Sequence, residues 1–180
     1  MTISVCIATG ASLTQEQVDY VKDKARVYVV SDAYRLAPWA DVLYSCDYAW
    51  WNYHKPEFNG EKWTINDKAA DEFKLNHITQ GEPEFSLEKD KLGTGGNSGF
   101  QCLNLAYLQG ATKIILLGYD FKSSGHFFGK HPKPLDRSSD YSRWVENMRK
   151  ASKIIPVPVI NCSPDSSIDC FPKMDIKGAL

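Results

Sequence analysis

Unbroken apolar runs alternate along this chain with segments that read as helices. Ile3–Ala8, Arg26–Val30, Val42–Cys46, Lys113–Gly118 and Val157–Asn161 are dominated by β-branched and other apolar residues. A run of that length without polar alternation predicts a strand covered on both faces. Between the runs, the pattern predicts one helix ending near Lys24 and others over Tyr48–His54, Asp67–Lys74, Ser98 to about Gln109, and Ser138/Ser139 to about Ile154. Ser12 and Thr14 each have a glutamine three residues on, the spacing of a capping box, so either can open the first helix. Pro56 stops the second, and the helix after Ser98 reads as amphipathic. Residues 55–91 are polar and read as an irregular insertion with one helix, and residues 119–139 form a long loop with Gly125, Gly129, Pro132 and Pro134. The tail from Cys162 reads as irregular, and there is no internal repeat. Strands alternating with helices predict one α/β domain over residues 1–180, a Rossmann-like doubly wound, mainly parallel sheet with helices on both faces.

Sheets of this kind bind ligands beyond the carboxyl ends of their strands, where the strand order switches. Those ends carry Gly10/Ser12, Ser31/Asp32, Cys46/Asp47, Tyr119/Asp120 and Asn161/Ser163. A second feature is the turn with Gly93, Gly95, Gly96 and Gly99 before the helix opened by Asn97-Ser98-Gly99. A helix start has unsatisfied N–H groups and a partial positive charge, so a phosphate at Gly96–Gly99 needs no basic side chain. No lysine follows the glycines, so this is not a P-loop, and no Gly-x-Gly-x-x-Gly follows the first strand. The same glycines equally suit a loop before a well-capped helix. Asp120 either binds a ribose, metal or amine, or caps a turn or pairs with Lys122 or Arg137. His126 and His131 share the loop GHFFGKHPKPLD; a loop histidine near such a helix is a candidate general acid or base, and otherwise a surface residue. His54 and His77 have no comparable setting.

Composition narrows the partners. The 180 residues are 43% hydrophobic and 24% charged with net charge −1, a globular balance without a basic field for nucleic acid or anionic membrane. Runs such as Ile114–Leu117 are too short to span a bilayer, and the N-terminus enters a strand pattern without a signal-peptide order. The five cysteines form no CxxC pair, and with these features they indicate reduced thiols in the cytoplasm. Trp39, Tyr44, Tyr48, Trp50, Trp51 and Tyr53 crowd one stretch, either a second hydrophobic cluster, a wall for a base or sugar ring, or a self-association face that would make a homo-oligomer.

Gly10-Ala11-Ser12, Asn97-Ser98-Gly99, KIILLGYDF, HFFGKHPK and PVINCSPDSSIDCF follow one another in this order. In this the chain resembles the bacterial sialyltransferases that use CMP-sialic acid, and the related family of flagellar motility accessory factors and an archaeal dihydropterin diphosphokinase. VSDAYRLAPWADVLYSCDYAWW is most similar to short phage-encoded members, which would place the protein in a host cytoplasm. The resemblance covers most of the chain outside residues 55–91. It implies a nucleotide or nucleotide-sugar ligand, with Gly10 and Ser12 at its phosphate or ribose and Ser31 where the sialyltransferases have Asn. It also implies that Ser98 and Gly99 hold the donor through the helix N-terminus and that His126 is the general base. Asn97 stands where the family has Thr, Gly95 where it has Arg, and Lys122 where it has a phosphate-stabilising Tyr. The loop after Asp120 is shorter than in the sialyltransferases, so their lid is largely missing. The expected nucleotide site is therefore Gly10, Ser12, Ser31, Asp32, Asp47, Asn97, Ser98, Gly99, Asp120 and Lys122, with His126 catalytic and no metal. The leading function is transfer from a nucleotide-activated donor. The alternatives are a non-catalytic binder that sequesters a nucleotide or nucleotide-derived signal, and a diphosphokinase with magnesium on Asp32, Asp47 and Asp120.

Overall fold

The computed structural model describes residues 2–123, 125–136 and 138–180. Its strands are β1 (Ile3–Ile7), β2 (Arg26–Val30), β3 (Val42–Tyr44), β4 (Glu61–Thr64), β5 (Asn76–His77), β6 (Thr79–Gln80), β7 (Lys91–Leu92), β8 (Lys113–Leu117) and β9 (Val159–Asn161). Its helices are α1 (Gln15–Val21), α2 (Tyr48–His54), α3 (Asp67–Phe73), α4 (Ser98–Leu108), α5 (Tyr141–Ser152) and α6 (Ile176–Ala179). Seven strands form one sheet in the order β5-β4-β3-β2-β1-β8-β9, and every pair in it is parallel. The predicted fold class therefore holds. The chain lays strands outward from β1 to β5 and then returns to place β8 on the other side of β1. The switch point lies between the carboxyl ends of β1 and β8.

Period-two alternation explains why the strands read as continuous apolar runs. Cys6, Tyr28, Tyr44, Ile114 and Leu116 face a core built with Phe100, Leu103 and Met148 from α4 and α5. Val5, Ile7, Val29, Leu43, Ile115 and Leu117 face a second core with Val18, Val21, Trp50 and Trp51 from α1 and α2. With helices on both faces, each strand position has an apolar neighbour. Leu116 is fully buried at the centre, so Leu116→Ala is expected to lower stability by about 2–5 kcal/mol, read from urea unfolding.

Three local expectations are corrected. Residues 55–91 are not an irregular insertion, because β4 and β5 extend the parallel sheet beyond β3. These are short outer strands with a weak hydrophobic signal, since only Thr64 of β4 is fully covered and both residues of β5 are exposed. Helix α4 is not amphipathic, being buried from Gly99 to Ala106. Its polar members are tied instead to the preceding turn: Gln101 Nε2 donates to Thr94 O at 2.8 Å, and Asn104 Oδ1 accepts from Gly93 N at 2.8 Å. Helix α5 starts at Tyr141, where Asp140 accepts from Arg143 N, rather than at Ser138/Ser139. The first helix is capped by Thr14 with the complete Thr14/Gln17 box. Among the described residues, no helix is long and apolar enough to cross a membrane.

Candidate functional site

At the switch point the ends of β1 and β8 come into direct contact. Gly10 N donates to Gly118 O at 2.8 Å, and a Cβ on Gly10 would lie 2.5 Å from both Gly118 O and Asp120 Cγ. No side chain fits there. Asp120, buried next to this contact, accepts from Ser12 N at 2.8 Å and from Ser12 Oγ at 2.5 Å. Its carboxylate clamps the loop after β1 to the loop after β8. Lys122 lies 3.7 Å from Asp165, and Arg137 lies outside the described residues.

The glycine turn has two tasks. Gly95 has φ +50°, and a Cβ there would sit 2.0 Å from the Phe100 ring, so this glycine serves the turn itself. Gly99 stands in the first turn of α4, where N–H groups have no intrahelical carbonyl. Asn97 caps the helix, its Oδ1 accepting from Phe100 N at 2.9 Å. That bond orients the amide, and its Nδ2 is left buried without a hydrogen-bond partner. Ser98 Oγ accepts from Cys46 N and donates to Cys46 Sγ, each at 3.1 Å, which fastens the helix start to the end of β3.

A cavity of about 380 Å³ opens above these strand ends. Of the expected site residues, Gly10, Ser31, Asp47, Asn97, Ser98, Gly99, Asp120, Lys122 and His126 line it. Ser12 and Asp32 do not. Ser12 turns its amide and hydroxyl to Asp120 instead. Asp32 belongs to a 3₁₀ turn over Ser31–Arg35 that carries it inward, behind Trp50. It accepts from Trp50 Nε1 at 2.9 Å, pairs with Arg35 at 2.7 Å, and lies 3.7 Å from His54 Nε2. Trp50 thereby joins two of the alternatives offered for the aromatic stretch, since it packs in the second core and also walls the cavity.

The likeness to solved structures becomes informative at this point. No family model matches the chain, and no curated protein does. Its fold superposes on that of the sialyltransferase CstII from Campylobacter jejuni in complex with a substrate analogue, CMP-3FNeuAc, with TM-score 0.61 and 15% identity, over 97% of this chain and 86% of that one. The likeness is one of fold.

The loop after β8 folds back over the opening. His126 pairs across to Gly10, Phe127 N donates to Thr9 O at 3.0 Å, and His126 and Gly129 exchange backbone bonds at 3.2 and 2.9 Å. Gly125, His126, His131 and Leu135 become cavity wall. His126 Nδ1 lies 2.9 Å from Thr9 Oγ1. Burial lowers the His126 pKa below 6.5, the neighbouring His131 lowers it further, and the Thr9 backbone, Asp32 and Asp120 oppose both. His131 lines the cavity too, its ring centroid 4.5 Å from that of His126 and 5.1 Å from that of Phe128 in the same loop. His54, without a notable setting in the sequence, has a side chain only 6% exposed and a pKa lowered chiefly by burial.

Thr9 was missed in the sequence because one threonine after a strand carries no signal of its own. A wall of Phe121, Tyr141 and Trp144 was missed as well, with Trp144 edge-on to Phe121 at 6.0 Å and to Tyr141 at 5.3 Å. The i, i+3 spacing of Tyr141 and Trp144 at a helix start was its only trace. Among the described residues, no group of three or more His, Cys, Asp or Glu is arranged to hold a metal ion. Asp32, Asp47 and Asp120 are accordingly not gathered into one such group: Asp32 is turned to Trp50 and Arg35, and Asp120 to Ser12.

Proposed function

We propose that this protein binds a nucleotide-activated sugar in the strand-end cavity and transfers the sugar to an acceptor hydroxyl. One observation carries the reading: the first turn of α4 opens into the cavity and brings Ser98, Gly99 and the buried, unpartnered Asn97 Nδ2 to one place. The Gly99 amide, in the first turn, and Asn97 Nδ2 are donors without an acceptor there, at the positive end of a helix, the arrangement that receives a phosphate. Lys122, about one-third exposed and only loosely paired with Asp165, can turn its ammonium to the same phosphate. The likeness of fold to an enzyme captured with a CMP-linked sugar analogue supports a nucleotide-sugar as the ligand.

In the transfer, the acceptor oxygen forms a bond to the anomeric carbon as the bond from that carbon to the phosphate oxygen breaks. The electron pair leaves with the nucleotide, and the α4 donors and Lys122 stabilise the charge. His126 takes the hydroxyl proton on Nε2. In the tautomer that does this, Nδ1–H donates to Thr9 Oγ1. The lowered pKa keeps the imidazole unprotonated at pH 7, so that Nε2 is free to accept the proton. Trp50 and the Phe121–Trp144 wall offer faces to a base or sugar ring.

The test combines calorimetry with CMP, UMP and AMP and mass spectrometry of products from the matching nucleotide-sugars. Binding of at least one nucleotide, with release of that nucleotide from its sugar conjugate in the presence of an acceptor, is the expected result. No binding of any of the three, with no turnover, would overturn the reading.

A further inference from the structure

We propose that His131 is a positioning residue for His126: packed against its ring, it holds the imidazole in place and keeps it in the base form over a wider pH range. The catalytic consequence rests on the transferase reading, whereas the coupling between the two rings rests on geometry alone.

The His126 ring is held from three directions. Thr9 Oγ1 lies 2.9 Å from its Nδ1. Phe128 stacks on it at 4.9 Å with planes 4° apart. His131 meets it at 4.5 Å and 61°, and also meets Phe128 at 5.1 Å and 63°. The turn closed by the His126–Gly129 backbone bonds is what brings His131 back to this position.

A phenylalanine would fill the same space with apolar surface. The histidine instead leaves its Nδ1 buried without a hydrogen-bond partner, which costs stability. Packing alone does not account for a histidine here, whereas its charge does. Two imidazolium ions at this separation, partly out of water, repel strongly, so a proton on one ring opposes a proton on the other. The charged neighbours are few. Asp120, following β8, and Asp32, in the turn after β2, favour the charged form of His126. Both carboxylates are already engaged, by Ser12 and by Trp50 and Arg35. Arg35 lies 5.6 Å from the Phe128 ring centre, and the pKa of His54 of α2 is itself lowered, by burial first and then by Arg35 and His131 against Asp32. The balance favours a neutral His126, in line with its lowered pKa.

The experiment is a proton NMR titration of the histidine Cε1–H signals in the wild type, His131→Gln and His131→Phe, with no ligand added. The wild-type His126 signal should shift in two coupled steps. In both variants His126 should titrate in one step with its midpoint moved to higher pH. His131→Phe restores the ring packing without the charge, so a purely structural role predicts that it behaves as the wild type. The acid limb of kcat/KM should move to higher pH in both variants. Uncoupled one-step titration of His126 in the wild type would overturn the proposal, and this arm requires neither folded variants nor turnover. Coupled titration with an unmoved acid limb would overturn the catalytic part alone. If no donor is turned over, the transferase reading fails and the NMR arm still decides the coupling.

Discussion

A His126→Ala variant is expected to lose about a hundredfold to ten-thousandfold in turnover while binding its nucleotide as tightly as the wild type. The two effects separate because the groups are separate. His126 stands on the loop that closes over the cavity from the side of β1, held through Thr9. The phosphate is assigned to the start of α4, held through Ser98 to the end of β3. Removing the imidazole deletes the proton acceptor and leaves the amides of α4 untouched. The pH profile gives a second check. Because burial and His131 depress the His126 pKa, the base form persists below pH 6.5, and the acid limb of the wild-type rate should lie below that value. Steady-state kinetics with calorimetry on the same variant would decide the matter. Full turnover without His126 would end the general-base assignment. A wild type that binds a nucleotide tightly and turns over no donor would make sequestration the better account.

Gly99→Leu is expected to abolish nucleotide binding and leave the fold standing. A Cβ at Gly99 would lie 3.0 Å from Asn97 Oδ1 and 3.4 Å from the Phe121 ring, so a longer side chain must displace the cap or fill the mouth of the cavity. Overpacking of this kind costs about 1–3 kcal/mol of stability, partly offset by the roughly 0.5–1 kcal/mol that a helix gains when glycine is replaced. The net loss is small beside the ~5–15 kcal/mol that holds a domain together. Binding suffers more. Hydrogen bonds to a charged group contribute about 1.5–3 kcal/mol each, so losing two lowers affinity by roughly a hundredfold or more. Circular dichroism should show a folded variant, and calorimetry should show no heat with the nucleotide that the wild type binds. Unchanged affinity would remove the phosphate from α4.

The start of α4 was legible because capping is local. Asn97, Ser98 and Gly99 lie together in sequence, and the cap bond to Phe100 N spans three residues. Asp120 could be placed at a strand end, yet its task could not be read, since its partner Ser12 lies 108 residues away. Asp32 misled for the same reason. It follows a strand, but the turn that begins at Ser31, with φ +46°, directs it under Trp50. His131 was undervalued because its significance depends on a turn that folds it against His126.

The central strands and the parallel sheet follow from hydrophobic pattern alone, since burial on both faces favours apolar side chains along most of β1, β2, β3 and β8. The outer strands β4 and β5 were decided by the assembled sheet. Backbone pairing at its edge holds them with little apolar burial, and without burial a strand leaves no pattern to read. The same division runs through the site. The capped start of α4 is written in neighbouring residues, whereas the contact at the switch point joins Gly10 to Gly118 and exists only once β1 and β8 are paired. The direction of each side chain above them, toward the cavity for His131 and away from it for Ser12 and Asp32, was decided by tertiary structure, because a loop side chain turns to whichever partner the fold brings within hydrogen-bonding or packing distance.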